Sequence, residues 1–416
     1  MLKIILVKME KTLKKKVIVQ KFGGTSVGSA ERIKAIANRT ANLPLGEQGL
    51  VIVVSAMGKT TDALIKLVGE ITPTPQAREY DALVSTGENV SASLLAMSLQ
   101  TLGIDAISLT GPQAGILTEE LHSKAKILTI KTDRIKRELA AGKVVVITGF
   151  QGFNQNNDVT TIGRGGSDTS AVALAAALGA NECEIFTDVD GVYTTDPRRI
   201  QNAQKITAIS YEEMLELASL GAKVLHPRAV ECAKENNIEL HVRSSFNNND
   251  GTRVKEIKTM EVNKPVTGVA INDKEAIVSI IDAPDHPGVA GDIFTLLADK
   301  GVNVDMIIQS AQEGATNNIS FSVLEDDLSL AIKTSESIAN KLGAKVIPDT
   351  SIAKISCVGI GMISKPGIAA KMFSELGNAG VNILRITTSE IKISCAIHRE
   401  DASKALAILH KAFELE

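Results

Sequence analysis

The sequence predicts an α/β protein: a mostly parallel sheet with helices on both faces, followed by a duplicated α+β module. Three observations carry this. Apolar, β-branched runs such as LVIVV at 50–54 and VVVIT at 144–148 alternate with helical segments, the pattern of strands buried on both faces. Residues 287–310 align without a gap on 366–389, an offset of 79. The composition, 44% hydrophobic and 22% charged over 416 residues, is that of an ordinary globular chain of about two to four domains. Aromatics make up 3% and Trp is absent, so the core must come from Ala, Val, Ile and Leu.

The first strand reads VIVQK at 17–21, and FGGTS follows it at once. A helix is expected from about 29 to 38, then the strand at 50–54, which breaks at SAMG, 55–58. Helices follow at 61–71 and 90–101, and strands at 104–109 and 143–148. An Ala-rich helix at 170–178 is closed by Gly179, a residue suited to the left-handed stop. Strands at 184–187 and 238–242 complete this part. Open α/β sheets bind ligands beyond the C-terminal ends of their strands. Chemistry is therefore expected in the polar turns after the first strand, after Val54, after Thr148 and after Thr187.

The turn cluster SSFNNNDG at 244–251 and the breaker NKP at 263–265 place a boundary between about 258 and 266. The expected organisation is a leader at 1–16, a catalytic domain at 17–258, a linker at 259–265, and modules at 266–345 and 346–416, with terminal strands open to exchange. In the repeat, Pro287, Gly288, Phe294, Gly301 and Asn303 match Pro366, Gly367, Phe373, Gly380 and Asn382. Each copy reads strand, Pro-Gly turn, amphipathic helix, Gly stop, strand. Two copies are too few for a solenoid and suit a paired module.

A formal net charge of −3 argues against a nucleic-acid partner. Cysteines at 183, 232, 357 and 395 form no CxxC pair and read as buried thiols of a reducing, cytoplasmic compartment. No stretch approaches the ~20 apolar residues of a membrane helix. The leader MLKIILVKMEKTLKKK has too short an apolar run for a secretory signal, and a second Met at 9 offers an alternative start.

The motifs lie at the expected strand ends. In KFGGTSVG, 21–28, a strand delivers Lys21, and Phe22, Gly23 and Gly24 follow, so backbone N–H groups can approach phosphate oxygens. Gly58-Lys59-Thr60 mimics a P-loop ending, but Val53 stands where the first glycine of that loop is required. Ser55 and Thr61 remain candidates for substrate contact. In TIGRGGSDT, 161–169, Arg164 sits among glycines and can grip a carboxylate with two parallel hydrogen bonds. Ser167 and Asp168 open the Ala-rich helix, either as simple caps or beside a bound anion. TDVDGVY at 187–193 lacks the acidic residue that would close a calcium loop, so a nucleoside-binding turn is the better reading. LGAKVLHPR at 220–228 supplies Lys223 as a second cation, while a lone His226 reads as structural.

Together with STGEN at 85–89 and TTDPR at 194–198, these motifs over 17–416 resemble the aspartate kinases of the amino-acid kinase family, and the duplicated module resembles a pair of ACT domains. The resemblance implies the amino-acid kinase fold with two ferredoxin-like ACT modules, and a monofunctional enzyme with no fused dehydrogenase. It implies phosphoryl transfer from ATP with Mg²⁺ to the side-chain carboxylate of L-aspartate, the first step towards lysine, threonine, methionine and diaminopimelate. It assigns catalysis to Lys21, Asp168 and Lys223. ATP would be held by Lys21, Phe22, Gly23, Gly24, Ser167, Thr187, Asp188, Tyr193, Arg198, Lys223 and Val224. Aspartate would be held by Ser55, Thr61, Glu88, Arg164, Gly165, Gly166 and Ser167. No protein cage for a metal is implied.

In the ACT pair the resemblance implies effector contacts from Asp285, Pro287, Gly288, Val289, Ala290, Asn303, Val304, Asp305 and Gln309. Ser364, Lys365, Pro366, Gly367 and Ile368 of the second copy would complete the site. Lysine, threonine or both are the expected effectors, in a homodimer or an assembly with a short ACT-only subunit. Two alternatives stand beside this: a family member acting on glutamate, acetylglutamate or UMP, and a non-catalytic amino-acid sensor.

Overall fold

The computed structural model describes residues 16–220, 224–257, 264–311 and 316–416. Most of the leader, Lys223 and residues 258–263 around the linker lie outside them. Two compact units emerge. The first takes 16–192, 205–219 and 224–257, and the second takes 193–204, Leu220, 264–311 and 316–416.

The first unit is built on an eight-stranded sheet. Its strands run in the order Ala208–Ile209, Thr252–Val254, Glu239–Ser244, Glu182–Thr187, Lys16–Phe22, Gln48–Val54, Val144–Thr148 and Ala106–Leu109. All neighbours are parallel except the pair Glu239–Ser244 and Thr252–Val254. Val51, Ile52, Val53 and Val54 are wholly buried, which requires cover on both faces. On one face the helices Ala30–Ala41 and Thr86–Thr101 pack with Phe22, Leu50, Ile52, Val54, Val144 and Val146. On the other, where Lys21 points, lies the helix Gly166–Leu178. Each fully buried Val or Ile here contributes roughly 1.5–3 kcal/mol of transfer free energy.

Two helices begin four residues earlier than expected, at Thr86 and Gly166. Gly, Ser, Asp and Thr are poor in helix interiors but suit a first turn, whose N–H groups have no intrahelical partner. Asp168 and Ser167 are not caps. The cap is Gly165, in the left-handed region at φ 69, and it makes no side-chain capping bond. The helix Ala77–Val84 and a small sheet of Ile127–Ile130, Ile116–Thr118, Gln151–Phe153 and Val159–Thr161 carry no clear periodicity in the sequence.

The second unit contains two four-stranded antiparallel sheets. The helices Val289–Asp299 and Ile368–Asn378 keep the 79-residue offset of the repeat, and each follows a left-handed glycine, Gly288 at φ 104 and Gly367 at φ 93. The edge strands cross over. Lys345–Asp349 pairs with Glu275–Pro284 of the first copy, whereas Gly268–Asn272 pairs with Ile352–Val358 of the second. Each sheet has its own core, around Phe321 and Ile293 in one and Met372 and Leu406 in the other. Lys354 of the second copy is ion-paired with both Glu275 and Asp305 of the first, and the lysine is 2% exposed. Cys183, Cys357 and Cys395 are buried as expected, and Cys232 is half-buried.

Candidate active site

The strand Lys16–Phe22 ends where three turns meet it. Gly23 N–H donates to Phe186 O at 3.2 Å, Ser55 N–H to Phe22 O at 3.1 Å, and Gly58 N–H to Gly24 O at 3.0 Å. Gly149 N–H donates to Val54 O at 2.9 Å, which brings the turn after Val144–Thr148 alongside. These bonds hold the glycine turns together at the C-terminal strand ends, where an α/β sheet binds its ligand.

Alternation along the first strand sends Lys21 and Phe22 to opposite faces. Lys21 Nζ lies 2.5 Å from Asp168 Oδ1, in the first turn of Gly166–Leu178. The Phe22 ring is fully buried and stacks on Phe186 at 4.7 Å, so only the backbone of Phe22 faces the turns. A placed cation beside a glycine turn is an arrangement that stabilises phosphoryl oxygens.

Glu88 lies in the first turn of Thr86–Thr101 and is 3% exposed. Its Oε1 accepts from Ala56 N–H at 3.1 Å, and Ser91 Oγ donates to Ser55 O at 2.7 Å. Oε2 has no hydrogen-bond partner among the described residues. Burial pushes the Glu88 carboxyl up to about 7, against the opposing pull of the Ala56 N–H. A buried carboxylate oxygen without a donor is a costly arrangement that a cationic ligand group would relieve.

Arg164 is exposed, between Gly163 and Gly165, and has no ion pair among the described residues. A Cβ on Gly165 would overlap the His226 ring, so glycine is required there on steric grounds as well as by its φ. His226 caps the helix Pro227–Asn236, its Nδ1 accepting from Arg228 N–H at 3.3 Å. Arg228 donates to Ile162 O at 2.5 Å and to Ala125 O at 3.1 Å, fastening the approach to the arginine loop. His226 is thus structural, as its isolation in the sequence suggests.

Thr187 ends the strand Glu182–Thr187 and its hydroxyl donates to Asp188 Oδ1 at 3.1 Å. Tyr193 and Arg198 belong to the other unit. The segment Tyr193–Gln204 packs there, with Thr194 Oγ1 at 2.9 Å from His410 Nε2 and Val269 N–H donating to Thr194 O at 2.8 Å. The Arg198 guanidinium is held by both oxygens of Asp196, at 3.0 and 2.9 Å. Val224 opens the described residues after Lys223.

Glu182, Glu184 and His241 lie within 4.8 Å of one another on the sheet. Gln20, Arg243 and Arg253 already engage the two carboxylates, at 2.7, 2.9 and 3.3 Å. The cluster is an ion network of the protein's own making.

Asp81 has no distinguishing mark in the sequence. It is fully buried and accepts from Thr161 Oγ1 at 2.7 Å, Thr161 N–H at 2.9 Å and Ser123 N–H at 2.9 Å. Its partners stand 42 and 80 positions away in the chain, beyond any local pattern.

In the second unit a cavity of about 370 Å³ opens beside the Pro-Gly turn of the first copy. Asp285, Pro287, Gly288, Val289, Ala290 and Gln309 line it, together with His286 and Asn317, which the sequence did not single out. Asn317 Nδ2 donates to Asp285 Oδ1 at 2.7 Å. Asn303, Val304 and Asp305 do not line this cavity, and Asp305 is taken by Lys354. Nor do Ser364, Lys365, Pro366, Gly367 and Ile368, which lead into the helix of the second copy.

The chain matches the model of the amino acid kinase family over residues 16–244, and that of the ACT domain over 278–336 and again over 355–413. It is 52% identical over 399 residues to an aspartokinase of Bacillus sp. (strain MGA3), covering 96% of this chain and 97% of that one. Among solved structures it resembles aspartate kinase from Synechocystis, at 48% identity and a TM-score of 0.55, over 96% of this chain and 69% of the other. It also resembles E. coli aspartokinase III in complex with lysine and aspartate, the T-state, at 25% identity and a TM-score of 0.71 over 95% and 99%. No helix among the described residues is long and apolar enough to cross a membrane.

Proposed function

The chain belongs to the amino acid kinase family, in its aspartokinase branch with paired ACT domains, and we propose that it transfers the γ-phosphoryl group of MgATP to the side-chain carboxylate of L-aspartate, giving 4-phospho-L-aspartate and ADP. The observation that carries this reading is Lys21, held by Asp168 at the strand ends where the glycine turns converge. The carboxylate oxygen forms its bond to the γ-phosphorus while the bond to the β–γ bridging oxygen breaks. No proton moves, because a carboxyl of pKa about 3.9 is already ionised at neutral pH. What the protein must supply is positioning and cancellation of charge between two anions.

Lys21 meets the transferring phosphoryl group, with Gly23 and Gly24 lining it. Glu88 receives the ammonium of aspartate on its unpartnered Oε2. Arg164 receives a carboxylate, with Ser55, Thr61, Gly165, Gly166 and Ser167 around the substrate. Thr187 and Asp188 belong to the nucleotide end. Mg²⁺ would come with the nucleotide and would offset part of its phosphate charge.

The cavity beside the Pro-Gly turn is proposed to take lysine, threonine or both as feedback effectors of a pathway leading to them. Its acid, amide and histidine side chains suit an amino acid's charged ends. The E. coli relative was solved with lysine and aspartate, which supports the assignment. ADP release in a coupled assay with aspartate, glutamate, acetylglutamate and UMP tests the substrate. Activity with aspartate alone supports the reading, and preference for another acceptor overturns it.

A further inference from the structure

We propose that Asp81 is a positioning residue for the amino-acid substrate, setting the arginine loop against the Glu88 helix. The inference rests on the reading of Glu88 and Arg164 as the two poles of that site. Asp81 sits in the helix Ala77–Val84, immediately before the Ser85 corner from which Thr86–Thr101 and Glu88 depart. Its carboxylate leaves that helix and binds two other segments.

The first is Thr161, which opens the arginine loop and donates through both its N–H and its hydroxyl, at 2.9 and 2.7 Å. The second is the turn at 122–123. Ser123 N–H donates to Oδ2 at 2.9 Å, Ser123 Oγ to Oδ1 at 3.3 Å, and His122 Nδ1 lies 2.9 Å from Oδ2. Ser123 is held in the left-handed region at φ 67, a conformation that a non-glycine residue keeps only when its surroundings impose it. Its carbonyl oxygen then lies 2.9 Å from where a Cβ of Gly163 would stand. The turn therefore lies close against Gly163, the residue preceding Arg164, where a side chain would not fit. One buried carboxylate fixes the start of the arginine loop directly and its middle through Ser123, while its own helix leads into Glu88.

Asparagine is nearly the same shape but offers one acceptor oxygen and an NH₂ group. In Asp81→Asn the oxygen can stay at the Oδ2 place, towards Thr161 N–H and Ser123 N–H, but an NH₂ group then faces the Thr161 and Ser123 hydroxyls and the negative charge is gone, so the anchor weakens without losing volume. A misplaced loop costs binding of the amino acid and leaves the nucleotide end alone. The test measures kcat and both KM values for full-length Asp81→Asn, Thr161→Val and Thr161→Ser, with melting temperatures alongside. Losing one charge-assisted hydrogen bond should raise the aspartate KM roughly tenfold or more, with the ATP KM within about twofold. Thr161→Val should follow Asp81→Asn, and Thr161→Ser, which retains the hydroxyl, should stay near the parent. If Asp81→Asn does not fold, the two Thr161 variants decide alone. An unchanged aspartate KM in folded Asp81→Asn or Thr161→Val, or equal rises in both KM values, overturns the inference. Failure of the parent protein to use aspartate is a different result, and removes the reading on which the inference rests.

Discussion

Asp168 Oδ1 stands 2.5 Å from Lys21 Nζ, and the two side chains are 13% and 10% exposed. The aspartate is the third residue of a helix and the lysine the penultimate residue of a strand, so the pair joins the two elements that frame the site. It holds the lysine in place at the strand end.

Removing one member of such a pair leaves a buried charge, at a cost of about 3–5 kcal/mol. Lys21→Ala should abolish turnover and lower the melting temperature. Lys21→Ala with Asp168→Ala should recover much of the melting temperature and none of the activity. Near-normal kcat in Lys21→Ala contradicts the mechanism, and calorimetry with steady-state kinetics reads both outcomes.

Glu88 sets a pH dependence. Its folded-state carboxyl titrates at about 7, above the ordinary 4.5, so the folded protein binds more protons than the unfolded chain between those values. Stability contributed by this group is present below 4.5 and falls as pH rises to about 7, by roughly 3 kcal/mol at 1.36 kcal/mol per pH unit. Glu88→Gln should therefore melt higher than the parent at pH 8 and no higher at pH 4. The same variant should lose at least about tenfold in kcat/KM for aspartate, the worth of one charged contact. In the parent, the aspartate KM should rise as pH falls below 7, where Glu88 takes up its proton. A flat KM from pH 8 to 6 would remove Glu88 as the ammonium partner.

Lys354 links the two ACT copies. Burial alone would push its ammonium down, but Glu275 and Asp305 outweigh burial and hold it above the ordinary 10.5. Burial likewise pushes Asp305 up, and Lys354 overrides it, so the carboxyl sits below 3.8. The link is therefore intact across the neutral range. The lysine's share is lost as pH rises through its raised value, and the aspartate's as pH falls through its lowered one. Lys354→Ala should destabilise the protein by about 3–5 kcal/mol, because it strands the buried Glu275. An unchanged denaturation midpoint would count against the link.

Asn317 and Gln309 face the cavity of the first copy, and Asn317 also holds Asp285. Asn317→Ala should raise the concentration of lysine or threonine needed for half-inhibition by roughly tenfold, as loss of a hydrogen bond to a charged group does. Inhibition curves for each effector singly and together check this. Unaltered curves for all three place the effector elsewhere.

Much of this fold is legible in the sequence because its periodicities are local. The strand at 17–21 and the helix at 61–71 differ from the observed Lys16–Phe22 and Thr60–Ile71 by a residue at an end, and the repeat at 287–310 returns as two helix starts at the same offset, Val289 and Ile368. Strand exchange between the modules is a pairing choice between distant segments, which hydrophobic alternation does not encode. Glycine motifs disclosed the strand-end turns because glycine marks close backbone approach. They could not disclose Asp81, whose meaning comes from Thr161 and Ser123, or Asn317, which reaches the cavity from a neighbouring strand. Tyr193 and Arg198 looked continuous with Asp188 in sequence, yet the segment from Tyr193 to Gln204 packs with the other unit.

The central claim is that Lys21 and its glycine turns drive phosphoryl transfer to the aspartate side chain. Trapping with hydroxylamine tests it most directly, because an acyl phosphate gives a coloured hydroxamate and an unreacted carboxylate does not. The full chain with ATP, Mg²⁺ and L-aspartate should form hydroxamate that depends on every component, and Lys21→Ala should form none. No hydroxamate from the parent protein, or equal amounts from Lys21→Ala, would contradict the account.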